Sequence, residues 1–220
     1  MMIGALAAAL MLAITTKPSP PRVLALGDSY TIGESVAVAG RWPNQLARAL
    51  RVKRIRIVDP EIIAKTGWTT DELSSAIDAA KPRGPYALVT LLIGVNNQYR
   101  GRDAEQYRRE FAALLHRAIG FAGGDAKRVV VVSIPDWGVM PFAAGRDHGK
   151  IAAEIDLFNA VNAEEAQHAG AYYADVTPVS RRAATDATLV APDGLHPSAA
   201  MYAQWVTVIL PRAEAALQRR

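Results

Sequence analysis

Two stretches limit the fold more than any others. Residues 86–93 (YALVTLLI) and 128–134 (RVVVVSI) are apolar at nearly every position, without the alternation of a half-wet strand. Such runs are strands buried on both faces, as in a parallel sheet with helices on either side. Residues 22–26 (RVLAL) form a shorter run of the same kind. Two more strand regions lie at 54–64, interrupted by Asp59-Pro60, and at 171–176 (AYYADV). Helical patterns fall between them. Residues 41–50 place Trp42, Leu46 and Leu50 at helical spacing, with Pro43 suited to a first turn. Thr69 or Thr70 can cap a helix to residue 80, and 103–121 carries Tyr107, Phe111, Leu114, Leu115 and Ala118 on one face. A long helix over 150–169 turns Ile151, Ile155, Phe158 and Val161 inward. A last one runs from Pro197 or Ser198 to residue 217, where Pro211 is expected to kink it or end it early. Strand and helix alternate, so the class is α/β. Five strands are too few for a closed eight-stranded barrel, which leaves an open, doubly wound sheet.

The 220 residues fit one domain, and a composition half hydrophobic and 21% charged is that of a folded chain. Residues 1–14 (MMIGALAAALMLAI) are nearly all apolar. That is shorter than the roughly 20 residues of a membrane span and fits the h-region of an export signal. No Lys or Arg precedes it, and no clean A-x-A site follows. The expectation is a signal or anchor segment with a linker over 1–21 and the folded domain over 22–220. Export to the periplasm or medium follows from that division; a cytoplasmic chain is the alternative. The absence of cysteine removes disulfides, thiolate zinc sites and cysteine nucleophiles. Net charge is +4, but the basic group Arg48, Arg51, Lys53, Arg54 and Arg56 has no interleaved aromatics. It reads as a solvated helix end, not a nucleic-acid surface.

Open α/β sheets bind ligands beyond the carboxyl ends of their strands. Gly27-Asp28-Ser29 follows the first strand, Gly67 the second, Asn96 the third and residues 135–149 the fourth. Asp193-Gly194-Leu195-His196 precedes the last helix. A free serine hydroxyl is a poor nucleophile and needs a base. Among four histidines, His116 and His168 lie on helices and His148 just before one. His196 lies in a loop with Asp193 three residues earlier. That spacing lets a carboxylate accept the Nδ1–H and leaves Nε2 for the serine proton. Acyl transfer also needs donors for the developing oxyanion. The N–H groups of Ser29 and Gly67 and the Asn96 amide can serve. Taken singly, each has a plainer explanation: a turn for Gly67, a strand-end cap for Asn96, a turn cap for Asp193. Their joint occurrence in this order carries the argument.

In these blocks the chain resembles the SGNH, or GDSL, hydrolase superfamily of serine esterases and lipases. Gly27-Asp28-Ser29-Tyr30, Gly67, Gly94-Val95-Asn96-Asn97 and Asp193-Gly194-Leu195-His196 match its four blocks. The resemblance implies a flavodoxin-like three-layer α/β/α sandwich around a five-stranded parallel sheet. It implies Ser29 as nucleophile and first oxyanion donor, with Gly67 and Asn96 as further donors. His196 becomes the base and Asp193 its orienter, with no metal and no cofactor. One departure stands out: the third block commonly ends in aspartate, and here it ends in Asn97. Asp28 reads as a structural hydrogen-bond acceptor.

Trp68, Tyr99, Trp137, Met140 and Phe142 flank the expected site and could line an acyl pocket, or anchor their loops on the core. A small acyl ester is the expected substrate, with lysophospholipid, thioester and acetylated carbohydrate unresolved. The alternative is a carbohydrate- or lipid-binding protein without turnover. A nucleotide or flavin carrier fits less well, since no Gly-rich phosphate fingerprint follows the first strand. No stable membrane span is expected, and the sequence assigns no oligomeric state.

Overall fold

The computed structural model describes residues 20–218 of the 220. The expected export segment, residues 1–14, lies outside them. In chain order the elements are β1 (Val23–Gly27), α1 (Ser29–Ile32), α2 (Trp42–Val52), β2 (Glu61–Ala64), α3 (Thr70–Ala80), β3 (Leu88–Leu92), α4 (Val95–Tyr99), α5 (Ala104–Phe121), β4 (Val129–Val132), α6 (His148–Ala169), β5 (Tyr172–Ala174), α7 (Thr177–Arg181) and α8 (Ala199–Leu217).

The five strands are all parallel, in the order β2-β1-β3-β4-β5. Helices α2 and α8 pack together on one face, and α3, α5 and α6 on the other. Every residue of β1, β3 and β4 is therefore buried. Each valine of β4 contributes about 1.5–3 kcal/mol by leaving water. The layers are those of the flavodoxin-like sandwich. After β1 the chain moves to one side of the sheet, and after β3 to the other. The segments following β1 and β3 diverge, opening a crevice at that switch point.

Local chemistry accounts for the helix starts. Asp103, Asp147 and Ser198 cap α5, α6 and α8, each side chain accepting a backbone N–H from the first turn. Glu72 accepts from the Thr69 N–H at 2.9 Å at the start of α3. Two expectations need correction. The strand expected over 54–64 is confined to Glu61–Ala64. Arg54 adopts a left-handed φ of 63°. The donors beyond it go elsewhere, Ile55 N–H to Leu50 and Val58 N–H to Pro21, not to β1. The last helix does not stop at Pro211 but continues through it to Leu217. Among the described residues, no helix is long and apolar enough to cross a membrane.

Candidate active site

The nucleophile candidate sits where β1 turns into the single helical turn α1. Gly27 leaves the strand between Thr31 and the Leu92 carbonyl, where a Cβ would collide with both. Asp28 then caps α1, its Oδ1 accepting from the Tyr30 N–H at 3.0 Å. Ser29 is the first residue of that turn and opens onto a cavity of about 180 Å³. Ser29, Gly67, Asn96 and His196 all line this cavity, with Tyr30, Thr66, Val95 and Leu195. Residues 135–149 contribute Trp137 and Phe142 to the same lining, so the five segments singled out in the sequence meet at one place.

His196 is buried, and its Nδ1 lies 2.7 Å from Asp193 Oδ2. Nε2 makes no hydrogen bond among the described residues, and none joins it to Ser29 Oγ. The Tyr30 ring packs edge-on against the imidazole, with centroids 5.6 Å apart, and rests on Trp205 behind it. Burial, with Asp28, Asp136 and Asp193 nearby, pushes the Tyr30 phenol far up, so it stays neutral. Asp193 Oδ1 accepts from the backbone N–H groups of Leu195 and His196, each at 2.9 Å. Oδ2 also accepts from the Ser35 hydroxyl at 2.6 Å. Partial burial works against the Asp193 charge. The donors outweigh it, Ser35 foremost, and hold the carboxyl well below the usual range.

Three of the lining residues carry the donors singled out in the sequence. The backbone N–H groups of Ser29 and Gly67 have no acceptor among the described residues. Gly67 has φ of 86°, a left-handed conformation that glycine adopts without strain. The Arg100 guanidinium holds its carbonyl at 2.6 Å. Asn96 is the second residue of α4, and its Nδ2 donates to the Trp68 carbonyl at 2.9 Å. A primary amide has a second N–H to offer. Asn97, the departure in the third block, is fully buried. Its Oδ1 accepts from the Thr70 N–H at 3.1 Å and its Nδ2 donates to the Thr70 hydroxyl at 2.7 Å. It ties α4 to the start of α3, a two-way contact that an amide supplies without a buried charge.

The outer wall is aromatic. Tyr99, Trp137 and Phe142 line the cavity, with the Tyr99 and Trp137 centroids 5.4 Å apart. The Arg146 guanidinium lies over all three rings at 5.2–5.3 Å. The Phe142 N–H donates to the Gly194 carbonyl at 2.9 Å, joining this wall to the Asp193–His196 loop. Trp68 and Met140 are not among the lining residues. Met140 is fully buried beneath the loop, and Trp68 meets the site through its carbonyl. Of the lining residues that the sequence reading passed over, Tyr30, Thr66, Val95 and Leu195 each adjoin a singled-out residue, so adjacency was the available signal. Ser35 and Arg100 carried none. Among the described residues, no group of three His, Cys, Asp or Glu side chains is arranged to hold a metal ion.

The model of the GDSL-like lipase/acylhydrolase family matches residues 25–204. No curated protein matches. Among solved structures, TesA aligns with a TM-score of 0.69 at 19% identity, over 89% of this chain and 99% of its own. The psychrotrophic esterase EstA from Pseudoalteromonas sp., inhibited by monoethylphosphonate, aligns at 0.70 and 14% identity, over 90% of this chain and 100% of its own. A mutant of Axe2, an acetyl-xylooligosaccharide esterase from Geobacillus Stearmophilus, aligns at 0.65 and 16% identity, over 92% and 96%. At these identities the likeness is one of fold.

Proposed function

The chain belongs to the GDSL-like lipase/acylhydrolase family, within the SGNH/GDSL superfamily of ester hydrolases, and from that premise we propose that it cleaves short acyl esters with Ser29 as nucleophile. One observation carries the reading: Ser29, Gly67, Asn96 and His196 border a single cavity, and the imidazole is bound to Asp193 through Nδ1.

Ser29 Oγ attacks the ester carbonyl carbon while its proton passes to His196 Nε2. The carbonyl oxygen becomes an oxyanion, held by the N–H groups of Ser29 and Gly67 and the Asn96 amide. His196 returns the proton to the leaving alkoxide, and the alcohol departs. Water, deprotonated by His196, then releases the acid and restores Ser29. Asp193 keeps the proton of the neutral imidazole on Nδ1 and stabilises the imidazolium. In this scheme Tyr30 holds the ring, and Asp28 is structural.

The cavity of about 180 Å³ is small and its wall largely apolar, which suits a short acyl group. Hydrolysis of p-nitrophenyl acetate and labelling by a fluorophosphonate, compared between the wild type and Ser29→Ala, test the reading. Wild-type turnover and an adduct at Ser29, both lost in the variant, are expected. Full turnover by Ser29→Ala would sink the assignment. Neither turnover nor an adduct in the wild type would favour a binding protein of carbohydrate or lipid. Export through residues 1–14 is part of the same proposal, and the mass of the mature protein's N-terminus checks it.

A further inference from the structure

Each oxygen of the Asp193 carboxylate accepts twice, which fills the roughly four lone-pair sites of such a group. Three of the four donors belong to Leu195 and His196, in the same short loop. The fourth, the Ser35 hydroxyl, comes from 158 residues away in sequence, just beyond the turn that carries Ser29. It is the only one that ties the carboxylate to another part of the fold. It also shares Oδ2 with the imidazole Nδ1, so it bears directly on the oxygen that orients the ring.

The backbone gives a second, independent indication. Ser35 has φ of 60°, in the left-handed region. Glycine would adopt that conformation at no steric cost, whereas a side chain there is strained. Strain of this kind persists where the surrounding structure uses the side chain.

On the Ser29–His196–Asp193 reading above, we infer that Ser35 is a positioning residue for ester cleavage. Its hydroxyl locks the Asp193 carboxylate in the rotamer that faces His196, and so couples the nucleophile segment to the base loop. Ser35 is exposed, so without the hydroxyl water supplies a donor but not a fixed one. The carboxylate then samples other rotamers, and the imidazole is correctly oriented for a smaller part of the time. The effect falls on the chemical step and not on substrate binding.

The test compares Ser35→Ala, which keeps a side chain on the strained backbone, with Ser35→Gly, which relieves it. Each is made alone and together with Asp193→Ala, and kcat, KM and Tm are measured with p-nitrophenyl acetate. Both single variants are expected to lose about tenfold in kcat, the scale of a hydrogen bond to a charged group. KM stays within about twofold, since a transition-state interaction is lost and not uniform binding. Tm is not lowered in Ser35→Gly. On the Asp193→Ala background neither substitution lowers kcat further, because the residue they act through is gone. Wild-type kcat in both single variants, with Asp193→Ala strongly impaired, overturns the role of Ser35 alone. The same proportional loss with and without Asp193 overturns it too. Wild-type kcat in Asp193→Ala removes the underlying triad reading, and this inference with it.

Discussion

Two aspartates stand behind the site, one next to Ser29 and one bonded to His196, and their surroundings drive them in opposite directions. Asp28, in the nucleophile turn, is 0% exposed. It has one backbone donor on Oδ1, while Oδ2 has no partner among the described residues. Burial pushes its carboxyl up to about 7, against the pull of the Tyr30 N–H. Asp193, in the base loop, has a side chain 29% exposed and four donors, and it stays ionised far into acid. One residue type thus serves as a helix cap whose charge is suppressed below about pH 7 and as a charged anchor for an imidazole. Depth of burial and donor count together, more than nearness to Ser29, separate the two, because an unpaired buried charge is costly and a fully bonded, partly exposed one is not.

The sharpest test of that contrast acts on the groups that the two regions present to substrate. Ser29→Ala should lower kcat/KM by roughly 10⁴-fold or more, leaving only what the remaining donors and binding supply. Circular dichroism should show the fold intact. Next comes Asp193→Asn, which keeps the shape but offers an amide in place of the charge. A loss in kcat of about 10³–10⁴-fold is expected, with a much smaller loss in Asp28→Asn. Equal losses in the two would erase the distinction between the two aspartates. Asn96→Ala removes one of the three proposed oxyanion donors and should lower kcat by about 10²–10³-fold, with KM little changed.

The contrast also has an effect on stability. The folded pKa of Asp28, about 7, is raised above the ordinary value of 3.8, so between those pH values the folded state binds the extra proton. Stability due to this group therefore falls as pH rises from about 4 to about 7, by up to about 4 kcal/mol, and then levels off. Asp28→Asn, which still caps the helix, should flatten that slope and unfold at a higher temperature than the wild type at pH 8. Asp193 has the opposite sign. Its depressed pKa contributes stability above the unfolded value, lost as pH falls toward acid, so Asp193→Asn should flatten the acid side only. Thermal unfolding across pH 3–9 separates the two. A steeper acid-side slope in Asp193→Asn than in the wild type would contradict its assignment as the ionised partner.

Much of the fold was legible because β3 and β4 are apolar at nearly every position, and only a sheet covered on both faces hides such strands. The strand edges were less so. The weak second strand is shorter than its composition allowed, since the backbone donors around Ile55 and Val58 found partners other than β1. In the site, Ser29, Gly67, Asn96, Asp193 and His196 could be singled out because their types and their order on strand ends carry chemical meaning. Met140 and Trp137 were alike on paper, two large apolar residues of one irregular segment. Packing turned one into the core and the other to the cavity wall.

By itself the sequence determined the layer architecture and the residue types available at each strand end, because hydrophobic periodicity and strand polarity are local properties read along the chain. Only the tertiary structure decided which of those ends converge. It brought Ser35, from the segment just after Ser29, to a carboxylate 158 positions later, and it shifted the acidity of two aspartates in opposite directions. The physical reason is that hydrogen bonding and desolvation depend on atoms within a few ångströms in space. Neither is written into the spacing of residues along the chain.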